Sequence, residues 1–148
     1  SILASPNDLD SFRKTGQRRD LNREKFEANK LLDELKNFGS PASKNISYLT
    51  HIVKVRSRLK AFHPEASMKC ISTNIANCVI LQRGLAEDSV YVICNMSHEF
   101  LSISPLNELN SLGLSSHKRL LDNITGSYLN TDTFKLNPYQ VVWLTLAD

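Results

Sequence analysis

Arg18, Arg19 and Arg23 fall within six residues of one another, with Asp20 and Asn22 between them, in the stretch Thr15-Gly16-Gln17-Arg18-Arg19-Asp20-Leu21-Asn22-Arg23. A guanidinium is planar, always charged and carries its N–H donors in a fixed fork. Held by a neighbouring carboxylate, such a fork becomes a rigid multi-donor group suited to sugar hydroxyls, carboxylates or phosphate. Asp20 is the carboxylate that would orient it. The alternative is a solvated loop whose local ion pairs contribute little. Residue types alone weigh toward the solvated loop.

Other chemistry is thinly provided for. His51, His63, His98 and His117 show no metal-ligand spacing with a third ligand. Acidic residues are present, but none sits in a pattern that marks a general acid and base pair. The five glycines stand singly, so there is no phosphate loop, and no nucleophile-elbow pattern occurs. The sequence therefore implies no metal and no cofactor. Cys70, Cys78 and Cys94 leave one thiol over in any disulfide scheme and lack C-x-x-C spacing. They read as buried free thiols in a reducing compartment.

The elements that would carry these residues change character along the chain. Ser5-Pro6-Asn7-Asp8 opens a short helix with a cap, a proline at the first helical position and an acid in the first turn; Gly16 ends it. Thr15 to Arg23 is expected to be a loop. Ala28, Leu31, Leu32, Leu35 and Phe38 recur at three- and four-residue steps, which predicts a helix over about 25–37. Gly39-Ser40-Pro41 stops it, and Ser40 or Ser43 caps a third helix to about Leu59, with Ile46, Leu49, Ile52, Val53 and Leu59 on a wide apolar face. Lys54, Arg56, Arg58 and Lys60 crowd its C-terminal end. The macrodipole favours cations there, and no aromatic platform is interleaved, so no nucleic-acid partner is expected.

At Phe62-His63-Pro64 helical patterning gives way to short strands separated by turn residues. Candidate strands run over Met68–Thr73, Cys78–Arg83, Ser89–Met96, Phe100–Ser104, Arg119–Ile124, Thr133–Leu136 and Gln140–Leu146. That spacing predicts an antiparallel sandwich or Greek key, with Pro105 to His117 a crossing loop. The closing strand is apolar on both faces: Val141, Trp143 and Thr145 on one, Val142, Leu144 and Leu146 on the other. It is expected to be covered on both sides, with Trp143 in the core and Pro138 at its start, where a missing N–H is harmless. The helical faces before residue 60 exceed what three helices can bury alone, as if they belonged to a larger fold.

Composition agrees with a globular chain. Of 148 residues 41% are hydrophobic and 22% charged, and the net charge of +3 is too mild to argue for nucleic acid. No apolar run approaches the roughly 18 residues of a membrane span. The N-terminus lacks the basic and apolar regions of a signal peptide, so a cytoplasmic protein is expected. The glycosylation-like triplets at Asn45, Asn95 and Asn123 then read as chance matches. The chain does not begin with Met and reads as trimmed or as a piece of something longer.

Four stretches together resemble the C-terminal part of sucrose-phosphorylase-type enzymes of glycoside hydrolase family 13, the α-amylase family. They are Pro6-Asn7-Asp8 with Thr15-Gly16-Gln17-Arg18-Arg19-Asp20-Leu21-Asn22-Arg23; Ala61-Phe62-His63-Pro64-Glu65-Ala66; Leu121-Asp122-Asn123-Ile124-Thr125-Gly126; and Leu136-Asn137-Pro138-Tyr139-Gln140-Val141-Val142-Trp143-Leu144. Their order and separations match over nearly the whole chain.

The resemblance implies an α+β chain. Residues 1–62 would be the last loop and helices of a (β/α)8 barrel, and residues 63–148 an all-β sandwich domain. Barrel active sites lie on loops after the strands. The arginine of the family's G-R-D step binds the glucosyl unit, and that role carries onto Arg19; Asn22 and Arg23 match the following N-R and would support the pocket rim. Two positions depart: the family's glycine before that arginine is Arg18, and the histidine after N-R is Glu24. Both put substrate identity in question.

The family's aspartate nucleophile, glutamate acid/base and second aspartate sit on earlier barrel strands, and nothing in this chain matches them. The implied activity is phosphorolysis of an α-glucoside to glucose 1-phosphate, with sugar and phosphate bound through an N-terminal barrel. From another class comes a non-catalytic β-sandwich module binding glycans or protein.

Overall fold

A computed structural model describes residue 3 and residues 6–21, 26–85, 88–105 and 119–147. The chain divides into two compact units, Ser1–Val53 and Lys54–Asp148. Among the described residues no helix is long and apolar enough to cross a membrane.

In the first unit α1 spans Leu9–Thr15. Its N-cap is Asp8, whose carboxylate accepts the Ser11 backbone N–H at 2.9 Å. The helix thus starts after Pro6 rather than with it, because Asp8 supplies the oxygen that satisfies the first turn. Gly16, with φ of 66°, ends the helix by donating its N–H to the Phe12 carbonyl at 2.8 Å. A single-turn helix, α2, spans Arg18–Leu21, where the composition reads as loop.

The helix α3 spans Ala28–Lys36 and α4 spans Pro41–Arg58. Ser40 joins them: its hydroxyl donates to the Glu34 carbonyl at 2.9 Å and accepts the Ser43 N–H at 3.0 Å. Ser40, Ala42 and Ser43 are buried at this elbow, small enough for the two backbones to approach. Ala42 is the one buried hydrophobic residue of this unit among the described residues, while Leu32, Phe38, Tyr48 and Val53 are exposed. Among the described residues these helices have apolar faces and gather no core of their own.

The second unit is built on antiparallel strands: β1 Met68–Ile71, β2 Cys78–Arg83, β3 Val90–Asn95, β4 Leu101–Ile103, β5 Arg119–Asp122, β6 Ser127–Leu129, β7 Phe134–Leu136 and β8 Val141–Ala147. Six form one sheet in the order β1-β2-β3-β8-β5-β6, and β4 pairs with β7. The last strand in sequence therefore occupies a central place, with Val92 opposite Trp143 and Leu120 opposite Leu146. The strand β6, three residues between Gly126 and Asn130, has no counterpart in the sequence reading.

One face of the large sheet carries the main core. Ile80, Tyr91, Ile93, Leu120, Val142 and Leu144 form a single core with Ile103, Phe134 and Leu136 of the small sheet. The other face is half covered. Val90 and Val92 pack with Ala61, and Leu59, Phe62, Leu81, Cys94 and Trp143 gather around them. Trp143 is thus half-buried, its ring tilted against that of Phe62 at 4.5 Å between centroids, and Val141 is exposed. The expectation of a closing strand covered on both sides, with Trp143 in the core, is corrected within this unit: among its described residues the second layer is the short segment around the 3₁₀ turn Lys60–Phe62, and Trp143 is half-buried against it.

Two arginines fasten that segment. Arg56 donates to the Phe62 carbonyl at 3.1 Å, and Arg83 donates to the carbonyls of Ala61 at 3.2 Å and His63 at 2.9 Å. Gly84 must be glycine: its φ is 78°, and a Cβ would stand 3.0 Å from the Asp88 carbonyl oxygen.

Two buried polar side chains tie turns together. Asn95 donates to the carbonyls of Glu99 at 2.7 Å and Asn137 at 2.8 Å, and its oxygen accepts from Ser97. Both amide hydrogens are committed, so this acceptor-like triplet offers no free amide. Asp122 accepts the Ile124 and Trp143 N–H groups, each at 3.1 Å, and the Thr125 hydroxyl at 2.7 Å. Such satisfied groups cost little to bury.

Candidate functional site

The arginine-rich segment is organised by local bonds rather than by a core. Thr15 closes α1, and the pair Gly16-Gln17 turns the chain into α2. The Thr15 hydroxyl reaches Asp20 Oδ2 at 2.6 Å and lies 3.0 Å from the Ser11 carbonyl. It holds one proton, and the ionised acceptor takes the stronger bond. The same oxygen accepts the Gln17 N–H at 3.2 Å. Asp8, which caps α1 with its side chain, donates its own N–H to the Leu21 carbonyl at 2.9 Å. The start of α1 and the end of α2 are therefore pinned together.

The Asp8 carboxyl is held below its ordinary value of 3.8, first by the Ser11 side chain and then by the Ser11 backbone N–H. It is ionised at neutral pH and suits the positive end of the helix. Beside it lies an open depression of about 510 Å³ lined by Pro6, Asn7, Asp8, Leu9, Asp10 and Arg13. Arg13 pairs with Asp10 at 3.3 Å, in solvent.

Arg19 lies on α2 and is exposed, as is Arg18. Neither guanidinium has a hydrogen bond or ion pair with another described residue. Asn22, Arg23 and the departing Glu24 lie outside the described residues. Asp20 does not orient an arginine among the described residues; its carboxylate is taken by Thr15. That bond spans a Gly-containing turn between a threonine and an aspartate five residues on, and those two residue types were the only signal for it in the sequence.

The other motif stretches resolve into structural roles. Ala61, Phe62 and His63 present carbonyls to arginines. Asp122 holds the β5–β6 turn to β8. Gln140 accepts the Asn137 N–H at 2.8 Å and shapes the turn into β8. Among the described residues no three His, Cys, Asp or Glu side chains gather where a metal ion could be held.

No protein-family model matches the chain. Among solved structures it is similar to AmyP in complex with maltotriose, at 16% identity and a TM-score of 0.57 over 74% of this chain and 22% of that one. It is similar to an Anoxybacillus α-amylase at 14% identity and a TM-score of 0.55, over 75% of this chain and 24% of that one. For trehalulose synthase from Pseudomonas mesoacidophila the identity is 15% and the TM-score 0.53, over 79% of this chain and 20% of that one. At such identities the likeness is one of fold: mostly antiparallel sheet with a few helices, as in enzymes of the α-amylase family.

The particular relative comes from sequence. Over 145 residues, 97% of its length, the chain is 30% identical to the glucosylglycerate phosphorylase of Allomeiothermus silvanus. It spans 23% of the length of that protein. The chain is thus a homologue of part of a glucosylglycerate phosphorylase, and its structural neighbours are enzymes of the α-amylase family, consistent with the C-terminal part of such an enzyme.

Proposed function

We propose that this chain is the C-terminal portion of an α-glucosyl-transferring phosphorylase. Residues 1–62 complete a (β/α)8 barrel, residues 63–148 form the β domain against it, and Arg19 binds donor hydroxyls, with Asn22 and Arg23 at the pocket rim. The carrying observation is the 30% identity to a phosphorylase over 97% of the chain. A second supports it: apolar faces on α3 and α4, with Ala42 the one buried hydrophobic residue among those described, need a partner. In this reading the barrel supplies the reacting carboxylates for a retaining double displacement, sugar and phosphate are the substrates, and glucosylglycerate, the substrate in the relative's name, is the first donor to try.

The test is phosphorolysis by the full-length protein. Arg19→Ala is expected to lower kcat/KM by about 10²-fold, the usual loss for one donor at a reacting sugar or oxyanion. Wild-type activity from that variant would remove the role given to Arg19.

A second reading, a non-catalytic glycan-binding module, draws on Tyr139, 68% exposed and held at a φ of 57°, and on Tyr128, 59% exposed with the Arg119 guanidinium 5.8 Å over one side of its ring. Exposed aromatic faces stack on sugar rings. Calorimetric binding of maltotriose by the 148-residue chain alone, abolished by Tyr139→Ala, would favour that reading.

A further inference from the structure

We propose that Thr15 and Asp20 are positioning residues for Arg19, through a hydroxyl–carboxylate clamp across the Gly16-Gln17 turn; the proposal rests on the sugar-binding role given to Arg19 above. A one-turn helix has no stability of its own, because nucleation costs more than its few bonds return. The orientation of α2 is therefore set by what holds it. Among the described residues those bonds are the Thr15 hydroxyl to Asp20 at 2.6 Å, the Gln17 N–H to the Thr15 oxygen at 3.2 Å, the Asp20 N–H to the Gln17 carbonyl at 3.0 Å and the Asp8 N–H to the Leu21 carbonyl at 2.9 Å. The guanidinium of Arg19 has no partner among the described residues, so its aim is inherited from the α2 backbone.

The clamp is exposed, and an exposed hydrogen bond contributes little to global stability. Its loss acts on where Arg19 points. An aspartate beside an arginine reads in sequence as that arginine's ion-pair partner. Here it acts one step removed, on the turn.

Full-length enzyme carrying Thr15→Val, Thr15→Ser, Asp20→Asn, Arg19→Ala and the Thr15→Val/Arg19→Ala pair is assayed for phosphorolysis of an α-glucoside. Valine keeps the β-branched shape and removes the hydroxyl; serine keeps the hydroxyl. Thr15→Val is expected to raise KM for the glucosyl donor about tenfold, as a displaced binding group does, with the melting temperature unchanged. Thr15→Ser restores wild-type KM, and Asp20→Asn behaves like Thr15→Val. The double variant is no worse than Arg19→Ala, because the hydroxyl acts only through that arginine.

If Arg19→Ala cripples the enzyme while Thr15→Val matches wild type, the clamp is overturned and Arg19 keeps its role. If Thr15→Val and Arg19→Ala are additive, or the valine variant loses activity with its melting temperature, Thr15 is structural and the proposal fails. If Arg19→Ala is as active as wild type, both readings fall.

Discussion

Cys70, Cys78 and Cys94 share a strand ladder but not an environment. No disulfide joins them; Cys70 is exposed on the edge strand, whereas Cys78 and Cys94 are half-buried. The reading of all three as buried thiols is corrected for Cys70. Burial pushes the Cys94 thiol above its ordinary value of 9.0. Because the thiolate is the nucleophile, a raised value means less reactive sulfur at neutral pH. Alkylation by iodoacetamide, followed by mass spectrometry, is expected to modify Cys70 first. Cys94 should follow slowly, with a rate that climbs to a higher pH than for an ordinary thiol. Equal rates at Cys70 and Cys94 would contradict the assigned burial. The sequence placed Asn95 and Asp122 in candidate strands without showing what their side chains hold, because their deciding partners, Asn137 and Trp143, lie far along the chain. Arg19 was legible as a sugar-binding candidate from its motif, while the Thr15–Asp20 bond that holds its helix was not.

The strand β8 shows what alternation can and cannot reveal. Its two faces were legible residue by residue, but how well each is covered depends on what the rest of the chain lays against it. Val142 and Leu144 face the small sheet and are buried; Val141 is on the side where, among the described residues of this unit, the segment from Leu59 to Phe62 packs, and it is 38% exposed. Leu144→Ala should cost about 2–5 kcal/mol, as buried leucines do. Val141→Ala should stay within about 0.5 kcal/mol, as exposed sites do. Urea unfolding of the two variants checks the difference, and similar losses would show that both faces are packed alike. Longer strands such as β2 and β3 were legible from alternation. By contrast β6 has three residues at a sheet edge, too few for a period to register, and α2 is one turn whose bonds come from its neighbours. The start of α1 moved because Asp8 offers a better placed cap than a serine before proline.

At the scale of the whole chain, the two units differ in self-sufficiency. The second buries a continuous core between two sheets; the first exposes Leu32, Phe38, Tyr48 and Val53 on helices whose periodicity was plain in the sequence. Periodicity shows that a helix has an apolar face but not what covers it, so the partner had to come from resemblance. The match spans 23% of the homologous phosphorylase, and the proposed barrel is what would lie against those helices. The most direct measurement is ³¹P NMR of full-length protein incubated with glucosylglycerate and inorganic phosphate. Accumulation of α-glucose 1-phosphate with release of glycerate is expected. Release of free glucose without any sugar phosphate, or no turnover of any α-glucoside tried, would contradict it.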